Sequence, residues 1–279
     1  MSPFAQPILR GFVLCMVVGI FAYLVILDLI TDGLNQVDAT VGVLSVQTVA
    51  ILPLIWLLWK HLNNKLPLKY FFRQSIKPFS KVNLCMIWLT LMILSLGIEG
   101  LTNLFLSSVV PAYIEDALSE QIIDPASPLM SNILTLILAV IIGPVMEEFV
   151  FRGLLMQRLS VKFNPNLGIL LSSFLFGILH FESWLSATIF GIVMCLIFIK
   201  SKNLWLPIVM HIINNSAVVV MDLLEYRDQK LERITELQDF FWYYFLALIV
   251  APILFLMARQ LWPDKMQEIP YDNNLKLAS

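Results

Sequence analysis

Three charged side chains lie close together in a stretch that is otherwise apolar. Glu147, Glu148 and Arg152 fall between the apolar residues 131–145 and the apolar segment 153–156. A charge in the hydrocarbon of a membrane costs several kcal/mol, so ionisable residues there are functional candidates. Residues four apart share one face of a helix, which pairs Glu148 with Arg152 and leaves Glu147 pointing elsewhere. The spacing predicts a structural ion pair beside a carboxylate that can act as a general base.

Two of the three histidines also fall in apolar segments. His180 follows Phe176 by one helical turn, and His211 precedes Asn215 by one turn. A single membrane histidine can simply bond a neighbouring helix, but two of them in a chain with two buried glutamates indicate one site. Helix rise puts Glu147 and both histidines roughly 12–20 Å from the span ends on one side of the membrane. This overlap predicts a single cavity that opens towards the cytoplasm.

Such a set of side chains is suited to hydrolysing a peptide bond. A base deprotonates water, and hydrogen-bond donors stabilise the oxyanion of the tetrahedral intermediate. Glu147, His180 and His211 could instead hold Zn²⁺, which would polarise the water. The sequence contains neither H-E-x-x-H nor a nucleophile elbow. A zincin arrangement is therefore absent and a serine mechanism is poorly supported, while the choice between glutamate and metal stays open.

The chain carries three motifs that resemble the signature of one protease family. They are E-E-x-x-x-R at 147–152, F-x-x-x-H at 176–180 and H-x-x-x-N at 211–215. In type, order and placement they are similar to those of the CPBP family, the CAAX prenyl protease and bacteriocin-processing group. The resemblance covers about 131–222 and implies an all-helical intramembrane endopeptidase, like the type II CAAX prenyl proteases.

The resemblance also implies a role for each motif residue. Glu147 would activate the water with help from His180, and His211 and Asn215 would form the oxyanion hole. Glu148 and Arg152 would support the site. The implied partner is a peptide or protein substrate, prenylated or otherwise bound to the membrane. Family members are described both as metalloproteases and as metal-free glutamate proteases, so Zn²⁺ is neither required nor excluded.

The composition places the motifs in a membrane protein. Of the 279 residues, 59% are hydrophobic and only 14% are charged, and the mean hydropathy is +0.82. Soluble domains are about half apolar. No basic cluster argues for a nucleic-acid partner, and membrane lipids are the expected surroundings.

Eight apolar segments are long enough to cross a membrane as helices, allowing for shelter by neighbours. They cover about 8–29, 40–59, 83–107, 131–157, 166–181, 184–199, 204–222 and 240–260. The prediction is an all-α polytopic helix bundle that forms one membrane domain over 1–279, with a catalytic core over 131–222. Pro144 should kink the fourth span and free the carbonyl near Val140. This kink could admit water beside the acids or be an ordinary feature of a membrane helix.

The basic residues give the orientation. The loop from Lys60 to Lys81 carries six Lys and Arg residues and no acid, which is typical of a cytoplasmic loop. With that loop inside, the other ends of the spans carry most of the acids. We therefore expect an integral plasma-membrane protein with both termini in the cytoplasm.

Two other function classes fit the same buried polar residues. A proton- or solute-coupled transporter also buries Glu, Arg and His, but no inverted repeat is visible in the sequence. A membrane scaffold that binds and regulates a partner could use the same fold without catalysis.

Overall fold

The computed structural model describes residues 79–119, 122–123, 127–180, 183–228, 234–264 and 268–277, together with parts of 3–72. The first two predicted spans lie largely outside the described residues. Within the described part the regular structure is helical, apart from one isolated bridge between Phe72 and Asn203.

Five described helices are long and apolar enough to cross a membrane. They are α1 (Lys81–Ser107), α3 (Leu129–Lys162), α5 (Trp184–Ser201), α6 (Trp205–Asp228) and α8 (Phe241–Leu261). The shorter helices are α2 (Pro111–Ser119), α4 (Pro165–Leu179), α7 (Ile234–Asp239) and α9 (Pro270–Lys276). The prediction of an all-α polytopic membrane bundle is confirmed. The last six predicted spans correspond to α1, α3, α4, α5, α6 and α8.

Helix starts follow local signals in the sequence. The Ser80 hydroxyl accepts a hydrogen bond from the Asn83 amide and begins α1. The Asn164 side chain accepts one from the Leu167 amide, and Pro165 occupies the first position of α4. These caps satisfy amides that have no partner within the helix. The short turn between α3 and α4 is fixed in this way.

Helix α5 lies at the centre of the bundle and α8 at its edge. In the most apolar window of α5, 61% of the residues are buried, compared with 6% in α8. Large apolar side chains of α8, such as Trp242 and Phe255, remain exposed. In a water-soluble protein such a surface would be unusual, whereas in a membrane it contacts lipid. The central position of α5 makes it the support for the helices on either side.

Helices α4 and α5 pack closely through small residues. A Cβ atom added at Gly177 would lie 2.0 Å from the Thr188 hydroxyl oxygen and 2.5 Å from the Trp184 carbonyl oxygen. We expect Gly177→Ala to lower the free energy of unfolding by about 1–3 kcal/mol, because the backbones would have to separate. Thermal unfolding in detergent measures this loss.

Gly153→Ala is the matched control for that change. A Cβ at Gly153 would make only ordinary contacts of 3.4–3.6 Å. The control should be as stable as the wild-type protein. Equal stability of the two variants would contradict the close packing of α4 on α5.

The end of the bundle nearest the basic loop is closed by aromatic residues. Phe4, Phe71 and Tyr271 pack edge to face, with ring centroids 5.0–6.5 Å apart. The Asn274 amide donates to the carbonyl oxygens of Tyr70 and Lys202 at 2.9 and 2.8 Å. Helix α9 therefore holds this end, which we call the basic end, against the turn between α5 and α6.

Candidate active site

Helix α3 is continuous but not α-helical throughout. It has π-helical turns at Leu138–Ile142 and Phe149–Met156, on either side of the segment that carries both glutamates. In the first π turn the Gly143 amide donates to the Leu138 carbonyl, five residues earlier. A Cβ at Gly143 would lie 2.9 Å from that oxygen, so glycine permits the close turn. Such π turns are frequent at functional sites.

Pro144 leaves a carbonyl of α3 available to another helix. In the π register the Ala139 carbonyl would pair with residue 144, which as proline has no N–H. The Asn215 amide donates to the Ala139 oxygen instead, at 2.8 Å. Ala139 is next to Val140, where the sequence predicted a free carbonyl. The proline thus creates an acceptor that ties α3 to α6.

We expect Asn215→Ala to destabilise the protein by about 1–3 kcal/mol, because the Ala139 carbonyl would lose its hydrogen-bond donor. Asn214→Ala is the control, since the Asn214 amide contacts only the Asn215 side chain, at 3.5 Å. Unfolding in detergent compares the two variants. A larger loss for Asn214→Ala would argue against the link between α3 and α6.

Glu148 lies between a cation and a histidine. Its Oε1 atom is 2.9 Å from an Arg152 terminal nitrogen and 2.9 Å from His211 Nδ1. Glu148 and Arg152 have no exposed side-chain surface, and His211 is 4% exposed. Beside Arg152, the Glu148 carboxylate accepts a hydrogen bond from His211 Nδ1. The pair therefore fixes the ring of His211 and turns Nε2 away from Glu148.

Phe176 contacts residues of two motifs, Arg152 and His180. Its ring lies under the Arg152 guanidinium, whose central carbon is 4.4 Å from the ring centroid. The Phe176 carbonyl oxygen accepts a hydrogen bond from His180 Nδ1 at 2.8 Å. This arrangement explains the F-x-x-x-H spacing, because one residue supports the buried cation and orients the histidine one turn later.

Glu147 faces both histidines. Its Oε2 atom lies 3.8 Å from His180 Nε2 and 3.7 Å from His211 Nε2. That oxygen is itself buried and has no hydrogen-bond partner in the described part of the chain, while a third of the Glu147 side chain is exposed. The separations exceed a direct hydrogen bond. The structure brings the predicted base and both histidines to one point.

The same three atoms do not fit a zinc site as they stand. Ligand nitrogen and oxygen atoms of tetrahedral Zn²⁺ lie roughly 3.4 Å apart, given bonds of about 2.1 Å. The two measured separations are longer, and no three His, Cys, Asp or Glu side chains of the described residues are arranged to hold a metal ion. We therefore assign no metal ligand.

A cavity of about 350 Å³ adjoins the site and lies between α1, α3, α4, α5 and α6. His180, His211 and Asn215 line it, together with Met92 of α1 and Met221 of α6, whereas Glu147 is not one of its lining residues. On α6 the lining runs from His211 to Met221, away from the basic end. The opening of this cavity towards the cytoplasm stays a prediction. A site at mid-membrane depth can be reached from either side of the membrane. The packing of the neighbouring helices decides which side is open.

Two polar residues of the cavity lie outside the three motifs. Glu99 on α1 and Ser186 on α5 both line the cavity, and the Ser186 hydroxyl donates to Glu99 Oε1 at 2.6 Å. Glu99 is an acid within an apolar segment, which is the signal that could have identified it from the sequence.

Comparisons with known proteins cover the same helices. Residues 129–217 match the family model described as type II CAAX prenyl endopeptidase Rce1-like. YdiL of Bacillus subtilis (strain 168), a protein provisionally named as a membrane peptidase, is 33% identical over 107 residues, which are 38% of this chain and 44% of that protein. The membrane-embedded CAAX protease MroQ of Staphylococcus aureus (strain USA300) is 30% identical over 114 residues, 38% of this chain and 45% of that protein.

These matches concern one part of each protein. The chain spans less than half the length of the two curated relatives, and no solved structure matches it significantly. The family model begins at the first residue of α3 and ends in α6, two residues beyond Asn215. The comparisons confirm that the part of the chain that carries the three motifs resembles the CPBP family of intramembrane proteases.

Proposed function

We propose that this protein is an intramembrane endopeptidase in which Glu147 activates water. The observation that carries the proposal is the approach of the buried Glu147 Oε2 atom to the Nε2 atoms of His180 and His211, at 3.8 and 3.7 Å, beside a cavity. The match to a prenyl endopeptidase family and to two proteins named as membrane peptidases supports a protease rather than a transporter or a regulator.

The reaction follows from the positions of the side chains. Glu147 takes a proton from water, and the water oxygen bonds to the carbonyl carbon of the peptide. The scissile C–N bond then breaks, and the proton passes from Glu147, with help from His180, to the leaving nitrogen. Both histidines use Nδ1 to donate elsewhere, so each presents Nε2 to the reacting atoms.

The oxyanion is stabilised by His211 and Asn215 in this proposal. His211 donates from Nε2 when it is protonated, and the Glu148 carboxylate at 2.9 Å balances that charge. The Asn215 amide uses one N–H for the Ala139 oxygen, which leaves the second N–H for the substrate. Glu148 and Arg152 act only through the position and charge of His211.

The position of the cavity suggests the side of the membrane from which the substrate enters. The cavity extends away from the basic end, and the excess of Lys and Arg puts that end in the cytoplasm of the plasma membrane. A membrane-associated or lipidated peptide would then enter from the opposite side. Purified protein in liposomes, given peptides that reach the membrane from either side, tests both activity and access. Absence of cleavage of any peptide would contradict the proposal.

A further inference from the structure

Glu99 is an acid in the cavity that the proposed reaction does not use. It lies on α1 and lines both the catalytic cavity and a second cavity of about 210 Å³. Ser183 lines both cavities as well. Glu99 therefore lies where the two spaces meet.

Within the described residues Glu99 has no cationic partner. Its hydrogen bond comes from the Ser186 hydroxyl at 2.6 Å, and no ion pair joins it to a described Lys, Arg or His. Side chains nearby in the cavity include Met92, Leu96 and Val219, which are apolar. A carboxylate in such surroundings is unfavourable unless it takes up a proton or a positive group joins it.

The position of Ser186 gives the distance from the reaction. Ser186 is one turn before Phe190 on α5, and the Phe190 ring contacts the His211 ring with centroids 4.8 Å apart. One turn of four residues rises about 6 Å. The ring contact adds up to 4.8 Å to that rise, and an extended peptide covers the combined length with about three residues.

We infer that Glu99 binds a Lys or Arg side chain of the peptide substrate, about three residues from the scissile bond. The inference rests on the proposed protease function and adds a substrate preference to it. Glu99 shares this part of the cavity wall with neutral side chains, so it selects a positive side chain over a neutral one. The Ser186 hydroxyl holds the carboxylate in place for this contact.

The test is the sequence preference of cleavage. The full-length protein in detergent receives a library of acetylated and amidated peptides, so that only side chains carry charge, and mass spectrometry locates the cuts. We expect Lys and Arg to be enriched within three residues of the cut, by about tenfold for one partly desolvated ion pair. Glu99→Gln should lose the enrichment, and Glu99→Lys should favour Asp and Glu instead.

Glu115→Gln is the matched control, because Glu115 is an exposed acid on α2 outside both cavities. It should keep the wild-type preference. The amide oxygen in Glu99→Gln can still accept the Ser186 proton, so the fold is preserved. An unchanged preference for Lys and Arg in Glu99→Gln would overturn the inference.

Binding separates this inference from the proposed function. In the Glu147→Gln background, two apolar acetylated peptides that differ only in one central Lys or Gln are compared by fluorescence titration. The Lys peptide should bind about tenfold more tightly, and Glu99→Gln should remove the difference. Equal binding of the two peptides would contradict the role of Glu99. Failure of the wild-type protein to cleave any peptide would contradict the protease instead.

Discussion

Glu147→Gln should reduce the rate of peptide cleavage by about 10²–10⁴-fold, the usual contribution of a general base. Glutamine has the size of glutamate but cannot take a proton from water. The loss should appear in kcat, because the reaction is affected more than the binding of the peptide. Initial rates measured with the purified protein in liposomes give this value.

Glu115→Gln supplies the control, since it removes a carboxylate from the exposed surface of α2. It should cleave at the wild-type rate. A Glu147→Gln variant that is folded and still cleaves within threefold of wild type would contradict the assignment of the base.

The dependence on metal is a second part of the same prediction. The distances among Glu147, His180 and His211 favour a glutamate mechanism. Cleavage by wild-type protein should therefore survive dialysis against a chelator. Loss of activity that added Zn²⁺ restores would show that these residues move together around a metal.

Glu148→Ala should lower the free energy of unfolding by about 3–5 kcal/mol, because it leaves the Arg152 guanidinium buried without its counter-charge. Neither side chain has any exposed surface. The contact between Arg152 and the ring of Phe176 compensates for only part of this loss. Unfolding of the purified protein in a detergent series measures the change.

A double variant separates stability from activity. Glu148→Leu with Arg152→Met removes both charges and fills the space with apolar groups, so most of the stability should return. His211 would still lack the acceptor for its Nδ1 proton, so cleavage should remain low. Full activity in the double variant would contradict the role of Glu148 in orienting His211.

Charge balance explains why these two predictions differ. Glu148 forms the buried ion pair with Arg152, whereas Glu147 faces the Nε2 atoms of the two histidines. Loss of Glu147 affects the reacting side of this group, whereas loss of Glu148 exposes the buried cation to an apolar interior.

The sequence alone predicted the helical fold and the buried polar residues of the candidate site. Apolar segments about twenty residues long have only helices as stable membrane-spanning structures, because each backbone group must bond within its own segment. The cost of a buried charge likewise marks Glu147, Glu148 and Arg152 wherever they lie in such a segment. These effects are local, so they can be read from residue type and spacing.

Tertiary structure decided how the elements meet. The Ala139 carbonyl lies in the π turn before Pro144 and accepts a hydrogen bond from the Asn215 amide of α6. The cavity extends away from the basic end and includes Glu99, which lies 48 residues before Glu147 in the sequence. Hydropathy indicates how deep a residue lies in the membrane. It does not indicate which other helices the side chain contacts. That choice depends on helix packing, where side chains distant in sequence fill the same space.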